Sequence, residues 1–239
     1  AIGTFAVLLI AGFILLRHLR LEQADEREKQ RSGFVRDVQV QGLEESIGQN
    51  KSLQLEADFT AVNQFGEEVT LQSLKGKVWV FAQFYGSCPE CNSTNLSVLK
   101  ELHDKYKSNP NFQIVTISVK PDKDAVTLMK KLADHYAPAA TNWWFISADA
   151  QKVNEFCQKH LGYMAFKDNE NFGKVVADDK SPQLEILHDM RISVYGAEMG
   201  QWAMVDIAAA MKAEDTLAIE IAKRKIDLTI DWALKKIEN

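Results

Sequence analysis

Two cysteines in the motif Cys88-Pro89-Glu90-Cys91 stand between a continuous apolar run and a segment with helical periodicity. The run over residues 78–85 predicts a buried strand, and the following helix is predicted to begin near Ser93. A helix N-terminus favours a thiolate, which is the form of cysteine that attacks disulfides and binds metals. We therefore predict that Cys88 and Cys91 carry the chemistry of this chain, by redox exchange, by metal binding or by both.

Helical and strand-like patterns alternate after this motif, which favours an α/β domain with parallel strands. The last two predicted strands, 191–195 and 201–204, flank a turn at 196–200 and are expected to pair as a hairpin. Residues 162–180 are polar and irregular, and they are predicted to be an excursion before those strands. The elements predicted in between are helices 93–107, 124–136 and 149–161 and strands 112–119 and 143–146.

The composition is that of a globular protein, with 239 residues of which 46% are hydrophobic and 26% are charged. A net charge of −5 gives no reason to expect nucleic acid as the partner, since a basic face is the usual footprint of such proteins. Three cysteines are too few for a disulfide scaffold. The third, Cys157, lies in a predicted helix and is expected to be a buried core thiol.

Residues 1–16 contain no charged side chain and are mostly aliphatic or aromatic. They predict a single transmembrane anchor over residues 1–17, incomplete at its N-terminus because the sequence does not begin with Met. A signal-peptide core is the alternative interpretation, but no small-residue cleavage site follows it. The charges at the end of the segment, Arg17 and Arg20, leave its orientation open.

The rest of the chain is predicted to form three regions. Residues 18–50 are rich in charge and predict a stalk or linker. Residues 51–206 contain the alternating pattern and form the main domain, and residues 207–239 form a helical extension. An apolar stripe in this extension, from Leu217 to Leu234, is typical of core packing, with a docking surface as the alternative.

The order of strand, cysteine pair, helix, strand, helix and terminal hairpin is the plan of the thioredoxin superfamily. In such folds the loop before the hairpin faces the cysteines, and thioredoxin-like oxidoreductases usually have a cis-proline in that loop. This chain instead has Leu187-His188-Asp189-Met190-Arg191. We therefore expect His188 to lie close to Cys88 and Cys91.

Taken together, the motifs of the chain resemble the Sco/SenC family, which are membrane-anchored copper proteins with a thioredoxin-like fold. The similarity extends over about two thirds of the chain, from Leu53 to Met204. The segments that carry it are 66–80, Phe84-Tyr85-Gly86-Ser87-Cys88-Pro89, 116–124, Asn142-Trp143-Trp144-Phe145-Ile146 and 187–191.

The resemblance implies that Cys88, Cys91 and His188 are copper ligands. Two thiolates suit Cu(I), and an added imidazole lets the same site hold Cu(II). The resemblance also implies two roles. One is delivery of copper to the dinuclear copper centre of cytochrome c oxidase, and the other is reduction of the cysteines of that centre. The implied partner is the copper-bearing subunit of the oxidase. The implied location is the inner (cytoplasmic) membrane, with one span and the domain on the periplasmic, outer face.

Two residues separate the cysteines here, whereas the family usually has three. The shorter spacing is the one that thioredoxin-type dithiols use, and it leaves open a metal-free, membrane-tethered thiol–disulfide oxidoreductase with Cys88 and Cys91 as its catalytic residues. A second departure is Lys120, which stands where the family commonly has Asp. A third interpretation is an accessory subunit of a respiratory membrane complex, held by the anchor and the helical extension.

Overall fold

The structure is a computed structural model that describes Glu22 and residues 39–121, 126–172 and 184–238. The chain divides into two units, residues 1–45 and residues 46–239. In the first unit, Glu22 and residues 39–45 are helical. The anchor predicted over residues 1–17 lies outside the described residues. Among the residues that are described, no helix is both long enough and apolar enough to cross a membrane.

The described residues of the second unit form ten strands, six of which make up one sheet. The strands are β1 (Leu53–Gln54), β2 (Thr60–Val62), β3 (Glu68–Thr70), β4 (Val78–Phe84), β5 (Phe112–Ser118), β6 (Trp143–Ile146), β7 (Lys167–Asp168), β8 (Ile186–Leu187), β9 (Ile192–Tyr195) and β10 (Gly200–Val205). The large sheet has the order β1-β10-β9-β4-β5-β6, and the pairs β2-β3 and β7-β8 form two small antiparallel sheets. Strands β4, β5 and β6 are parallel, whereas β9 runs antiparallel to β4.

Six α-helices accompany the strands in the described part of this unit, which also has a 3-10 helix at Leu71–Leu74. They are α1 (Pro89–Ser93), α2 (Asn95–Tyr106), α3 (Val126–Tyr136), α4 (Ala150–Leu161), α5 (Ile207–Lys212) and α6 (Thr216–Glu238). The arrangement confirms the predicted thioredoxin-like α/β fold.

The centre of the sheet explains the continuous apolar runs in the sequence. All seven residues of β4 and all seven of β5 are buried, as expected for strands covered on both faces. Side chains alternate between the faces of a strand. Phe81 packs against Tyr163 with ring centroids 5.2 Å apart, and Phe84 packs against Phe145 at 5.5 Å. Phe81 and Phe84 are an odd number of positions apart along β4, so they pack against aromatic rings on opposite faces of the sheet.

Helix α6 packs against β4, β9 and β10 with a buried face that includes Leu234 but not the other four residues of the predicted stripe. Of the stripe residues, Leu217, Ile221, Leu228 and Trp232 are half-buried. The buried face consists of Ala222, Ile226, Thr229, Ile230, Ala233 and Leu234. Most of these buried side chains are small or β-branched, whereas the larger side chains Leu217, Ile221, Leu228 and Trp232 are half-buried. The apolar side of the extension is therefore used within the chain.

The helix after the cysteine motif begins earlier than the predicted position near Ser93. Helix α1 starts at Pro89, which occupies the first helical position, where proline's fixed φ fits and no amide hydrogen is needed. A break at Thr94 separates α1 from α2. Cys88 therefore directly precedes the first helical residue, and Cys91 lies in the first turn.

The register of the sheet determines which distant residues meet the cysteines. Ala82 of β4 pairs with Ile192 at the start of β9. Because the two strands are antiparallel, the residues just before β9 lie at the edge where β4 ends and the cysteine loop begins. The segment from His188 to Arg191 is placed at this edge.

Candidate metal and redox centre

Cys88 and Cys91 are joined by a disulfide bond and are fully buried. The amide N–H of Cys88 donates to the carbonyl of Tyr85 at 3.0 Å, which closes the turn between β4 and α1. The amide N–H of Cys91 donates to Sγ of Cys88 at 2.9 Å. A donor in this position stabilises a thiolate once the disulfide is reduced.

His188 presents one ring nitrogen to this pair. Nε2 lies 3.2 Å from Sγ of Cys91, and Nδ1 lies 3.1 Å from the carbonyl oxygen of Ile186. A carbonyl oxygen accepts only, so Nδ1 carries the hydrogen and Nε2 of the neutral ring has its lone pair directed at the sulfur. Burial lowers the pKa of His188, although the Ile186 carbonyl and Asp189 act in the opposite direction. The lowered pKa favours the neutral ring, which is the form that binds metal.

The ligand atoms of Cys88, Cys91 and His188 all lie within 4.8 Å of one another. The fold thus brings together the three residues that the sequence singled out, although His188 follows Cys91 by 97 positions. Two sulfurs and one imidazole form a soft donor set that fits copper in both of its oxidation states once the disulfide is reduced. The same pair in the disulfide form can exchange with thiols.

The buried carboxylate of Asp189 fixes the loop that carries the histidine. It accepts hydrogen bonds from the guanidinium and amide of Arg191 and from the amide of Met164, the last at 2.9 Å. Burial raises the pKa of Asp189, but these donors outweigh it and hold the pKa below its usual range. The amide of Asp189 donates to Oε1 of Gln83 on β4 at 3.1 Å. Both carboxylate oxygens are thus occupied by donors, which leaves the two cysteines and the imidazole as the groups here that could hold a metal.

A second set of contacts holds the residues just before the histidine. Lys120, which follows β5, forms an ion pair with Glu185 and is 9% exposed. The amide of Glu185 donates to the hydroxyl of Tyr85 at 3.1 Å, and the ring of Tyr85 lies edge-on to His188 with centroids 5.4 Å apart. Burial raises the pKa of the Tyr85 hydroxyl. The lysine that departs from the family pattern is therefore paired with an acidic residue beside the site.

Two residues of the site were not predicted from the sequence. Sδ of Met190 lies 4.0 Å from Sγ of Cys91, and the side chain is half-buried. The side-chain amide of Asn95, at the start of α2, donates to the carbonyl oxygen of Met190 at 2.8 Å. The signal available in the sequence was the position of Met190, two residues after a predicted ligand, whereas Asn95 has no distinguishing pattern.

Cys157 lies apart from this disulfide, as a free and fully buried thiol in α4. Burial raises its pKa to about 12. The prediction that it is a core thiol is confirmed.

Comparison with known proteins identifies the relatives of this chain. The SCO1/SenC family model matches residues 47–208. A curated relative, the SCO1 protein homolog of Bacillus subtilis (strain 168), is 33% identical over 103 residues. That match covers 42% of this chain and 53% of the relative, so it spans about half of the relative's length.

Solved structures share the fold over most of their length. BsSco, a member of the Sco family of cytochrome c oxidase assembly proteins in which a disulfide switch was identified, is 22% identical with a TM-score of 0.53. The comparison covers 75% of this chain and 96% of BsSco. Copper-bound ScoI of Bradyrhizobium japonicum is 19% identical with a TM-score of 0.51, covering 74% of this chain and 98% of that one. Because the family model matches more than half of the sequence, this chain belongs to the SCO1/SenC family.

Proposed function

We propose that this protein binds copper through Cys88, Cys91 and His188, and that it serves the assembly of cytochrome c oxidase. The observation that carries the proposal is the position of Nε2 of His188, which is 3.2 Å from Sγ of Cys91 with its lone pair facing the sulfur. Copper-bound ScoI and the oxidase-assembly protein BsSco belong to the same family and support the assignment. The proposed target is the dinuclear copper centre of the oxidase.

The oxidation state of the cysteine pair controls when copper binds. In the disulfide that the structure contains, neither sulfur is a thiolate. Two electrons and two protons convert the disulfide to a dithiol, and the thiols then lose their protons on binding copper. Metal binding and the disulfide are thus alternative states of one site.

The same pair also accounts for reduction of the target. A thiolate of the reduced pair attacks a disulfide of the oxidase centre, which forms a mixed disulfide and releases one target thiolate. The second cysteine then displaces the other target sulfur. The target gains two electrons, and Cys88 and Cys91 return to the disulfide. Copper is then delivered to the reduced target by another molecule of this protein, in which Cys88 and Cys91 are reduced and hold the metal.

The proposal places the protein at the inner membrane. Residues 1–17 would form the anchor, because they contain no charged residue before Arg17. The domain would lie on the periplasmic face, where the copper centre of the oxidase receives its metal. Protease digestion of spheroplasts with and without permeabilisation tests this arrangement, since a periplasmic domain is cleaved in intact spheroplasts.

Copper titration of the full chain tests the function. The reduced wild type is expected to retain one Cu(I) against a chromophoric chelator, and Cys88→Ser is expected to lose it. His188→Ala is expected to lose the thiolate-to-Cu(II) absorbance while both thiols still titrate. His160→Ala, an exposed histidine in α4, is the matched control and is expected to behave as wild type. A reduced wild type that retains no copper would overturn the metal assignment.

A metal-free thiol–disulfide oxidoreductase is the second candidate, favoured by the disulfide across two intervening residues. In that function, His188→Ala would leave disulfide reduction of a partner unchanged. Cys91→Ala would accumulate a mixed disulfide with the partner, because the resolving thiol is missing. If the protein instead acts through bound copper, His188→Ala is expected to lose activity although both thiols remain intact.

A further inference from the structure

We infer that the thioether of Met190 is a fourth copper ligand, which completes a site of three sulfurs and one imidazole; this inference rests on the proposed copper function. Sδ of Met190 lies 4.0 Å from Sγ of Cys91, and Nε2 of His188 lies 3.2 Å from the same sulfur. Metal–sulfur bonds of ~2.3 Å, as in zinc thiolate sites, place two sulfurs of a tetrahedral site ~3.8 Å apart. The thioether is therefore at the separation that a shared metal requires.

The backbone around Met190 is fixed on both sides. The buried amide of Asn95 donates to the carbonyl of Met190 at 2.8 Å, and the carboxylate of Asp189 binds the amide of Arg191 at 3.0 Å. His188 is fixed in turn through Nδ1 by the carbonyl of Ile186. The imidazole and the thioether are thus held on one clamped loop, and such support is what positions the ligands of a metal site.

The chemistry of a thioether suits one oxidation state of copper. It is a soft, neutral ligand that favours Cu(I), whereas the imidazole also serves Cu(II). With two thiolates already in a buried site, a neutral fourth ligand adds no further charge. Met190 is also half-buried while Cys88 and Cys91 are fully buried. It is therefore the ligand that an acceptor's sulfur displaces first when Cu(I) is transferred.

Packing alone is the competing explanation, because methionine commonly fills irregular gaps in a core. Met190→Leu separates the two explanations, since leucine keeps the volume and apolar character but has no sulfur. Met204→Leu, a half-buried methionine on β10, is the matched control. If Met190 only packs, both variants bind copper as the wild type does.

The deciding experiment is copper X-ray absorption on the reduced full chain labelled with selenomethionine. The Cu(I)-loaded wild type and Met204→Leu are expected to show selenium at bonding distance from copper, and Met190→Leu is expected to lose that signal. In chelator competition, Met190→Leu should lower the affinity for Cu(I) by about tenfold or more, while both thiols still titrate as in the wild type. Copper bound by sulfur without selenium in the wild type would overturn the role of Met190 and leave the proposed function intact. A wild type without copper would overturn both.

Discussion

Lys120 and Glu185 form an ion pair that ties the end of β5 to the strand leading into His188, across 65 positions of sequence. The two partners differ in exposure, since the side chain of Lys120 is 10% accessible and that of Glu185 is 34% accessible. Removing the acidic partner leaves a buried ammonium without its counter-charge, whereas removing the lysine leaves a carboxylate that water can solvate. Removal of Glu185 is therefore expected to lower the free energy of unfolding more than removal of Lys120.

Glu185→Gln is expected to lower the free energy of unfolding by about 2 kcal/mol, which is below the value for fully buried pairs because Glu185 is partly solvated. Lys120→Met is expected to cost about 1 kcal/mol or less. Urea unfolding of the two variants measures both values. A larger loss in Lys120→Met than in Glu185→Gln would contradict the asymmetry.

Reduction of the Cys88–Cys91 disulfide is expected to have a small effect on stability and a large one on metal binding. The bond closes a loop with a sequence separation of only 3, so its loss costs about 2 kcal/mol or less in chain entropy. Copper retention should rise from none to one ion per chain. Thermal unfolding and metal analysis with and without a dithiol reductant measure both quantities, and collapse of the fold on reduction would contradict the expectation.

Cys157 is expected to resist modification in the folded protein. Its thiol is fully buried and has a pKa of about 12, so almost none of it is thiolate at pH 8. Alkylation followed by mass spectrometry should label Cys157 only as fast as the protein unfolds, and in urea with a dithiol reductant it should react as fast as Cys88 and Cys91. Rapid labelling of Cys157 under native conditions would contradict its placement in the core.

His103 is expected to make the fold less stable in mild acid. Burial lowers its pKa, Asn142 and Asp104 act against that, and Lys107 and Lys100 act with it. The unfolded chain takes up a proton near pH 6.5, its ordinary pKa, whereas the folded chain does so only at lower pH. Stability is therefore lost as the pH falls below about 6.5, by at most about 1.4 kcal/mol per pH unit for this group.

His103→Gln tests this pH dependence, because glutamine keeps a donor for Oδ1 of Asn142, which lies 3.1 Å from Nε2 in the wild type. Urea unfolding at pH 7 and pH 5 should show a smaller difference in the variant than in the wild type. Equal differences would show that this histidine does not contribute.

Much of the sheet could be predicted because its strands carry a hydrophobic signature. The runs that became β4 and β5 are apolar enough to indicate full burial, and β6 has the predicted bounds Trp143–Ile146. The pairing of β7 with β8 was not predicted, because Lys167–Asp168 and Ile186–Leu187 are strands of two residues each. Pairing of that length depends on backbone hydrogen bonds and leaves no periodic pattern in the side chains.

The residues of the site also differ in how far the sequence could predict them. Cys88, Cys91 and His188 are residue types with distinctive chemistry in a recognisable arrangement, so the sequence alone indicated them. Asn95 and Glu185 are common surface residue types in most proteins, and they matter here because the fold places them against the loop of His188. Such contacts between distant segments follow from the packing of the sheet and have no local signature.

The pairing of Ala82 with Ile192 fixes the position of β9 relative to the end of β4. His188 is four residues before Ile192, and its loop and the strand before it are also held by the amide of Met164 and by β7, both of which lie between α4 and β8. An insertion or deletion within residues 188–191 would consequently displace the imidazole from the two sulfurs while the register of the sheet stayed unchanged, so the length of this short segment sets the distance between them.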